Sequence, residues 1–289
     1  MLPPFILWPC LAGLILLASG LFVVRRELAR ASRLDKLIVL GPVFLAASLT
    51  LFGAEHLAHS QAIMQTVPAW MPDRLLWVYF VGVALVAAAV SIVLRKYVRW
   101  SAALLGVMFF LFVLMVHLPR VTANPKDRFA WAVVLRDLSF AGGAWALAGW
   151  PAAVVSRFLI AIPLIFFGVE HFLHPEFAPG VPLPKMTPAW VPLPVVWGYL
   201  TGAVLCVGGL RLLTSKRSRI AVAWVGLVLT LLTLFLYLPI LAMARQPSAM
   251  LEAMNYVADT LLFAGAVLCV AKTLSAGGWL PFAAGKLRP

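Results

Sequence analysis

The chain has 289 residues, of which 63% are hydrophobic and only 11% are charged. A water-soluble domain of this length would need more polar surface, so the composition excludes one and indicates a protein that crosses a membrane several times. The formal net charge of +13 does not predict nucleic-acid binding, because the basic residues concentrate between the apolar stretches.

Nine apolar stretches are long enough to cross a hydrocarbon core of about 30 Å at about 1.5 Å per residue. Lipid cannot satisfy backbone hydrogen bonds, so each stretch must be helical, and we predict an all-α polytopic membrane protein. In chain order the predicted spans are 4–24, 37–59, 75–94, 101–118, 129–150, 157–174, 195–213, 219–240 and 255–274.

The first span resembles a signal peptide only in its position. No basic residue precedes it, and Arg25 and Arg26 follow it. We therefore expect residues 1–36 to form a retained transmembrane anchor with a basic cytoplasmic loop. The three cysteines, Cys10, Cys206 and Cys269, lie in apolar spans without a Cys-x-x-Cys pair, so dithiol chemistry is not expected.

An eight-residue motif occurs twice. Phe-Gly-Ala-Glu-His-Leu-Ala-His at 52–59 returns as Phe-Gly-Val-Glu-His-Phe-Leu-His at 167–174, and each copy precedes a Pro-Ala-Trp-x-Pro clasp, at 68–72 and 188–192. The offset is 115 residues between the glutamates (55 and 170) and 120 between the first clasp prolines (68 and 188), so the second loop carries a five-residue insertion. This spacing indicates a duplicated unit.

The duplication predicts two four-helix units, 37–150 and 157–275, followed by a cytoplasmic tail at 276–289. Each unit has an even number of spans, so the repeats should be parallel, related by a pseudo-twofold axis along the membrane normal. In the fourth helices, Asp137-Leu-Ser-Phe-Ala-Gly resembles Asp259-Thr-Leu-Leu-Phe-Ala-Gly, which pairs Asp137 with Asp259 and places Ala258 where Arg136 stands in the first unit.

Basic residues set the expected orientation. With the N-terminus outside, 16 of the 23 Lys and Arg residues fall in cytoplasmic segments, as the positive-inside rule requires. We therefore expect a multi-pass protein of a bacterial-type cytoplasmic (inner) membrane with a cytoplasmic C-terminus. In this orientation both Glu-His motifs, Asp137 and Asp259 lie in the outer third of the membrane.

The repeated polar residues are the candidate site. Glu55, His56 and His59 share one helical face, as do Glu170, His171 and His174. A carboxylate beside two histidines can ligate a metal, relay protons or bind a quinone carbonyl, and it can also serve only to cap a helix end. The hypothesis takes as catalytic candidates Glu55, His56, Glu170, His171, Asp137 and Asp259.

The same hypothesis includes ligand-binding residues. The metal candidates are His56, His59, His171 and His174, and the cofactor-binding candidates are His59, His174, Trp70, Trp190 and Arg136. The spacing differs from the His-Glu-x-x-His of zinc peptidases. Arg136 and Asp137 are costly inside a bilayer, so they should face the bundle interior in an ion pair, with Glu55 or Asp137 as the partner of Arg136. Trp70 and Trp190 would anchor the clasps among lipid headgroups or cover the Glu/His cluster as a lid.

Together, Phe-Gly-x-Glu-His, the Pro-x-Trp-x-Pro clasp, Tyr79-Phe-Val-Gly82 with Tyr199-Leu-Thr-Gly202, and a later Leu-Pro resemble the DoxX-like family of four-helix membrane proteins. The resemblance covers both units and implies a tandem duplication with an extra leading helix. The sequence departs from the family where many members have a glutamate after the glycine of the second helix, because it has Val83 and Ala203 there.

The resemblance implies the membrane subunit of a redox system with a soluble redox partner. Its outward-facing Glu/His site would take a quinone or a transition metal. The alternative is a non-catalytic membrane scaffold or a small-molecule carrier. The partners expected are the lipid bilayer and a soluble redox protein, with no nucleic acid.

Overall fold

A computed structural model describes residues 3–149, 151–180, 185–214 and 218–274. The expected tail at 276–289 lies outside these residues, as do four of the basic residues that set the predicted orientation: Lys216, Arg217, Lys286 and Arg288.

Nine long helices account for most of the described residues. They are α1 (Pro4–Arg30), α2 (Leu34–Ala58), α3 (Arg74–Leu94), α4 (Val98–Ala123), α5 (Arg128–Ala148), α6 (Ala152–Leu173), α7 (Pro194–Thr214), α8 (Arg219–Met243) and α9 (Pro247–Thr273). The all-α membrane fold predicted from the sequence is confirmed, and the only β-pairing among the described residues is an isolated bridge between Phe177 and Met186.

Eight of these helices are long and apolar enough to cross a membrane, and α5 is the exception. Helix α5 has 21 residues but carries Arg128, Arg136 and Asp137. It runs antiparallel to α4, because the Trp145 indole donates to the carbonyl of Ala103 near one end while Asp137 meets His117 towards the other. Helix α5 therefore lies alongside α4 from Asp137 to Trp145, and the side chains of Arg136 and Asp137 are turned into the bundle.

The two units, α2 to α5 and α6 to α9, pack on each other through their first and fourth helices. Within each unit the first helix packs on the second, and the third packs on the fourth. The first helix of each unit also packs on the fourth helix of the other: α2 on α9, and α6 on α5. The two units therefore form one eight-helix body with a shared core, and α1 packs outside it, mainly against α2.

The fourth helices, α5 and α9, meet at the centre of this body. A Cβ built on Gly143 would lie 2.3 Å from the Cβ of Ala266, and Arg136 bonds to Asp259 on the same pair of helices. Both pairs are 123 residues apart, as expected for equivalent positions facing each other across a pseudo-twofold axis. Gly142 and Gly265, also 123 apart, contact the carbonyl oxygens of Ser156 and Gly41, which are 115 apart in the first helices.

This register corrects the alignment of the fourth helices. Asp259 is the structural counterpart of Arg136, and Thr260 is the counterpart of Asp137. The aspartate precedes the phenylalanine by three residues in Asp137-x-x-Phe140 and by four in Asp259-x-x-x-Phe263. Pairing the two aspartates is therefore shifted by one residue from the register that the helix contacts set.

Glycines bring the first and second helices of each unit into backbone contact. A Cβ on Gly53 would lie 2.7 Å from the carbonyl oxygen of Gly82, and a Cβ on Gly168 would lie 2.8 Å from that of Gly202. Small residues at such crossings let membrane helices approach closely. The glycine of Phe-Gly-x-Glu-His therefore fixes the helix crossing, and the histidine three residues later lies directly beside the facing helix.

Candidate functional site

The bundle has two chemically different ends. The end where α2 and α6 finish carries both Glu-His motifs and both clasps, and we call it the polar end. The opposite end, where α1, α3 and α9 finish, carries Arg30, Arg95 and Lys272, and we call it the basic end. The polar residues singled out in the sequence all belong to the polar end.

In the first unit, Glu55 and His56 are held by different neighbours. Glu55 is buried and accepts a hydrogen bond at 3.3 Å from the amide of Asn255 on α9. Within the described residues it forms no ion pair. His56 bonds through Nδ1 to the carbonyl of Phe52 at 2.8 Å, so Nδ1 carries the proton and Nε2 is left as an acceptor.

A chain of charged groups joins the two units across the axis. His117 Nε2 lies 2.9 Å from Asp137 Oδ2, Arg136 Nε lies 3.2 Å from Asp137 Oδ1, and Arg136 Nη1 lies 2.8 Å from Asp259 Oδ2. Both aspartates are buried. Arg136 therefore pairs with Asp137, as one of the two expected options had it, and also with Asp259; Glu55 is not its partner.

A π-helical turn places His117 in this chain. The turn Val113–His117 in α4 and the turn Thr233–Tyr237 in α8 are 120 residues apart, and each precedes a Leu-Pro pair. Proline cannot donate a backbone hydrogen bond and crowds the carbonyl four residues earlier, which the wider turn accommodates. His117 and Tyr237 are therefore equivalent residues, both facing the fourth helix of their own unit.

Five buried side-chain atoms lack a hydrogen-bond partner among the described residues, and two of them lie beside this chain of charged groups: Nδ1 of His117 on α4 and Oδ1 of Asn255 on α9 of the second unit. The other three are the hydroxyl oxygens of Ser48, Thr187 and Ser218. Asn255 precedes Asp259 by one helical turn on α9, so it lies on the same face. Unsatisfied buried polar atoms cost about 1–3 kcal/mol each, so these two atoms, on His117 and Asn255, are the ones that would gain from a hydrogen bond to a ligand.

The equivalent groups of the second unit, Glu170 and His171, both have partners among the described residues. Glu170 pairs with Arg128 of α5, in the first unit, through Nη2 and, at 2.9 Å, through Nε. His171 is buried, its Nδ1 donates to the carbonyl of Phe167, and its Nε2 accepts a hydrogen bond at 2.9 Å from the N–H of Gly180. Both nitrogens of His171 are therefore occupied, so this residue cannot ligate a metal without breaking a bond.

The segment Ala178–Gly180, which we call the plug, closes the second unit. All three residues are buried, and the hydroxyl of Tyr237 donates to the carbonyl of Pro179 at 2.7 Å. The plug belongs to the loop that carries the five-residue insertion. In the first unit, His117 and His56 occupy the positions of Tyr237 and His171, and no described segment bonds to His56 Nε2 or His117 Nδ1.

The outer histidines and the clasp tryptophans lie apart from these groups. His59 stacks on Phe5 of α1 with ring centroids 4.9 Å apart, and His174 stacks on Phe177 at 5.4 Å and contacts Glu176. Trp70 and Trp190 are exposed and form no hydrogen bond or ring contact within the described residues. These positions suit an interfacial anchor better than a lid.

The two Glu-His motifs do not converge. His56 packs beside Gly82 of α3 and His171 beside Gly202 of α7, so each faces the second helix of its own unit. Among the described residues, no three His, Cys, Asp or Glu side chains form a group that could hold a metal ion. The metal candidates His56, His59, His171 and His174 therefore do not make one centre.

Several residues of the site were not singled out in the sequence. Asn255 and Arg128 carry no motif, because their partners Glu55 and Glu170 lie 200 and 42 residues away. The Leu-Pro pair that follows both His117 and Tyr237 is the sequence signal that these two residues are equivalent. The motif spacing also indicates the five-residue insertion in the second loop, but it does not indicate that this loop buries a plug.

One family description matches part of the chain. The family model "Domain of unknown function (DUF8561)" matches residues 45–139, which include Glu55, the first clasp, His117 and Asp137. The match covers about a third of the chain and lies within the first unit. Neither the curated proteins nor the solved structures searched contain a match to this chain.

Proposed function

We propose that the first unit binds the polar ring of a quinone at the polar end, and that the chain is the membrane subunit of a redox system. One observation carries this proposal. The second unit fills the space beside Tyr237 and His171 with its own plug, whereas the equivalent groups of the first unit, His117 and His56, have no such partner.

The plug indicates what kind of group would fit. It offers a carbonyl oxygen to Tyr237 and an N–H to His171. By analogy, a ligand of the first unit would offer an oxygen to His117 and a donor to Nε2 of His56. A hydroxyl of the reduced quinol can donate to Nε2 of His56, and an oxygen of either the quinone or the quinol can accept from Nδ1 of His117 when that nitrogen carries a proton. The pair of partners therefore suits the quinol, and the oxidised quinone keeps the His117 bond alone. A hydrophobic ring and tail also suit a site reached from lipid.

The His117–Asp137 pair supplies the proton chemistry. Asp137 holds Nε2 of His117, which leaves Nδ1 directed away from the carboxylate as the atom that exchanges a proton with a ligand. Reduction of a quinone to a quinol consumes two electrons and two protons. His117 would pass one proton from Nδ1 to the quinone oxygen that it faces and would regain a proton from water at the polar end. The second quinone oxygen would take its proton from water, and a soluble redox protein would supply the two electrons. Arg136 would hold both aspartates in place.

The charge distribution supports the proposed location. Placing the basic end in the cytoplasm puts the polar end and its site on the outer side of a bacterial-type inner membrane, with the N-terminus outside. The resemblance to the DoxX-like family supports the same reading, since that family includes membrane subunits of redox enzymes. A transition metal is the weaker version of the proposal, because only His117 and Asp137 meet as metal-type ligands near the unpaired atoms.

The test is quinone binding by the full-length protein in detergent. Organic extraction with mass spectrometry identifies any quinone that copurifies, and elemental analysis measures metals. The protein is then titrated under anaerobic, reducing conditions with short-chain ubiquinol and menaquinol analogues while tryptophan fluorescence is followed. We expect binding in the wild type and a loss of affinity of about tenfold or more in His56→Gln and His117→Gln, as removal of a buried hydrogen bond predicts.

His171→Gln is the matched control, because it alters the equivalent histidine in the plugged unit and should leave quinone affinity unchanged. Melting temperatures establish that each variant is folded. Equal loss of affinity in the His171 and His56 variants would contradict the assignment to the first unit. A folded wild-type protein that binds neither quinone nor metal would refute the redox proposal and favour the scaffold or carrier alternative.

A further inference from the structure

A cavity of about 220 Å³ lies at the basic end, far from the polar site. It is a partly open cavity lined by residues of α1, α2, α3, α4, α5 and α9, near the ends where α1, α3 and α9 finish. Its walls are mainly aliphatic, formed by residues that include Val24, Val39, Pro42, Val43, Ile92 and Leu147. The aliphatic part of the lining offers no hydrogen-bond partners to water.

Two cations are the charged residues that line this cavity, Arg95 and Lys272. Arg95 donates through Nη1 to Glu27 at 2.5 Å, and its other N–H groups have no partner within the described residues. Lys272, in the last turn of α9, forms no hydrogen bond or ion pair in the described part of the chain. The cavity therefore has an apolar interior and an entrance with a net positive charge, because the two cations Arg95 and Lys272 have, among the residues that the structure describes, only the carboxylate of Glu27 beside them.

We propose that this cavity is a binding site for an anionic phospholipid, with an acyl chain against the aliphatic walls of α1, α2 and α3 and the phosphate at Arg95 and Lys272. Charge complementarity selects the occupant: basic pockets between membrane helices at the cytoplasmic side bind anionic headgroups. Arg95 has donors in a fork that matches phosphate oxygens, and Lys272 adds a mobile point charge. The lipid would hold α1 against the eight-helix body, independently of the redox proposal.

The experiment is native mass spectrometry of the full-length protein, delipidated and then supplied with phosphatidylglycerol or phosphatidylcholine. We expect one tightly held phosphatidylglycerol in the wild type and at least about tenfold weaker retention of phosphatidylcholine. The double variant Arg95→Gln/Lys272→Gln should lose this preference. Val39→Trp, which fills the apolar wall without changing charge, should lower retention of both lipids.

Arg30→Gln/Arg99→Gln is the matched control, because it removes the same charge from exposed positions at the same end. It should retain phosphatidylglycerol as the wild type does. Equal loss in this control would overturn the proposal in favour of general attraction to a basic surface. Unchanged retention in Val39→Trp would overturn the acyl-chain part, since the headgroup alone would then account for binding.

Discussion

Arg136 and Asp259 occupy the same position in the two units and bond to each other at 2.8 Å across the pseudo-twofold axis. Two identical units would place like charges here, either two arginines or two aspartates, within a few ångströms in a buried setting. Opposite charges remove that repulsion. The duplicated halves have therefore become complementary at their contact, which explains why only one of them retains the Arg-Asp pair at 136 and 137.

Arg136→Met should destabilise the protein strongly. It leaves Asp137 and Asp259 buried without their shared cation, and breaking a buried ion pair typically costs about 3–5 kcal/mol. Thermal unfolding in detergent, followed by tryptophan fluorescence or by the loss of monodisperse protein on gel filtration, measures the effect. The double variant Arg136→Met/Asp259→Leu should recover part of the loss, because it removes one uncompensated carboxylate together with the guanidinium.

Arg128→Gln is the control for that prediction. Its partner Glu170 is buried, but the Arg128 side chain is 41% exposed, so the expected loss is nearer to the roughly 0–1 kcal/mol of an exposed pair. If Arg136→Met and Arg128→Gln melt at the same temperature, the ion pair between Arg136 and Asp259 stabilises the protein no more than the partly exposed pair does.

The sequence predicted the helices, the duplication and the end of the bundle where polar residues gather, because hydropathy and motif spacing are local properties. It did not predict the partners of those residues. Glu55 meets Asn255, and Arg136 meets Asp259, only because each first helix packs on the other unit's fourth helix. The one-residue error in aligning Asp137 arose for the same reason, since helix register is set by glycine contacts such as Gly143 with Ala266.

Gly53→Ala and Gly168→Ala should each separate the first and second helices of a unit. The new methyl group would lie 2.7 Å from a backbone oxygen in the first case and 2.4 Å from Cys206 Sγ in the second. Overpacking of this kind costs about 1–3 kcal/mol, so the melting temperature should fall. Val169→Ala, at a position that is 45% exposed and next to Gly168, should change it little. Equal melting temperatures for all three variants would show that the crossing is not tight.

Tyr237→Phe should loosen the plug. The hydroxyl donates to the buried carbonyl of Pro179, and an unsatisfied buried acceptor costs about 1–3 kcal/mol. Limited proteolysis of the loop that contains the plug should become faster, with the cleavage sites identified by mass spectrometry. Tyr199→Phe serves as control, because its ring is 44% exposed and its hydroxyl forms no hydrogen bond within the described residues. No change in cleavage between the two variants would argue against a closed second unit.

Cysteine labelling tests which side of the membrane each end of the bundle faces and whether α5 crosses the membrane. Gln61 follows α2 and Arg245 follows α8, and both are exposed at the polar end, while Ser32 and Lys96 are exposed at the basic end. Each is replaced by Cys in a background without Cys10, Cys206 and Cys269, and intact cells are treated with a membrane-impermeant maleimide. We expect labelling at Gln61→Cys and Arg245→Cys, and labelling of the other two only after permeabilisation.

The two polar-end positions are separated by α3 to α8, which is six helices. If all six cross the membrane, both positions lie on the same side; if α5 fails to cross, they lie on opposite sides. Agreement between Gln61 and Arg245 therefore establishes that α5 crosses in spite of Arg136 and Asp137, whose cost at the bilayer centre is about 2.5–3.5 kcal/mol each on insertion scales. The ion pairs with Asp259 and His117 are the contacts that would offset that cost.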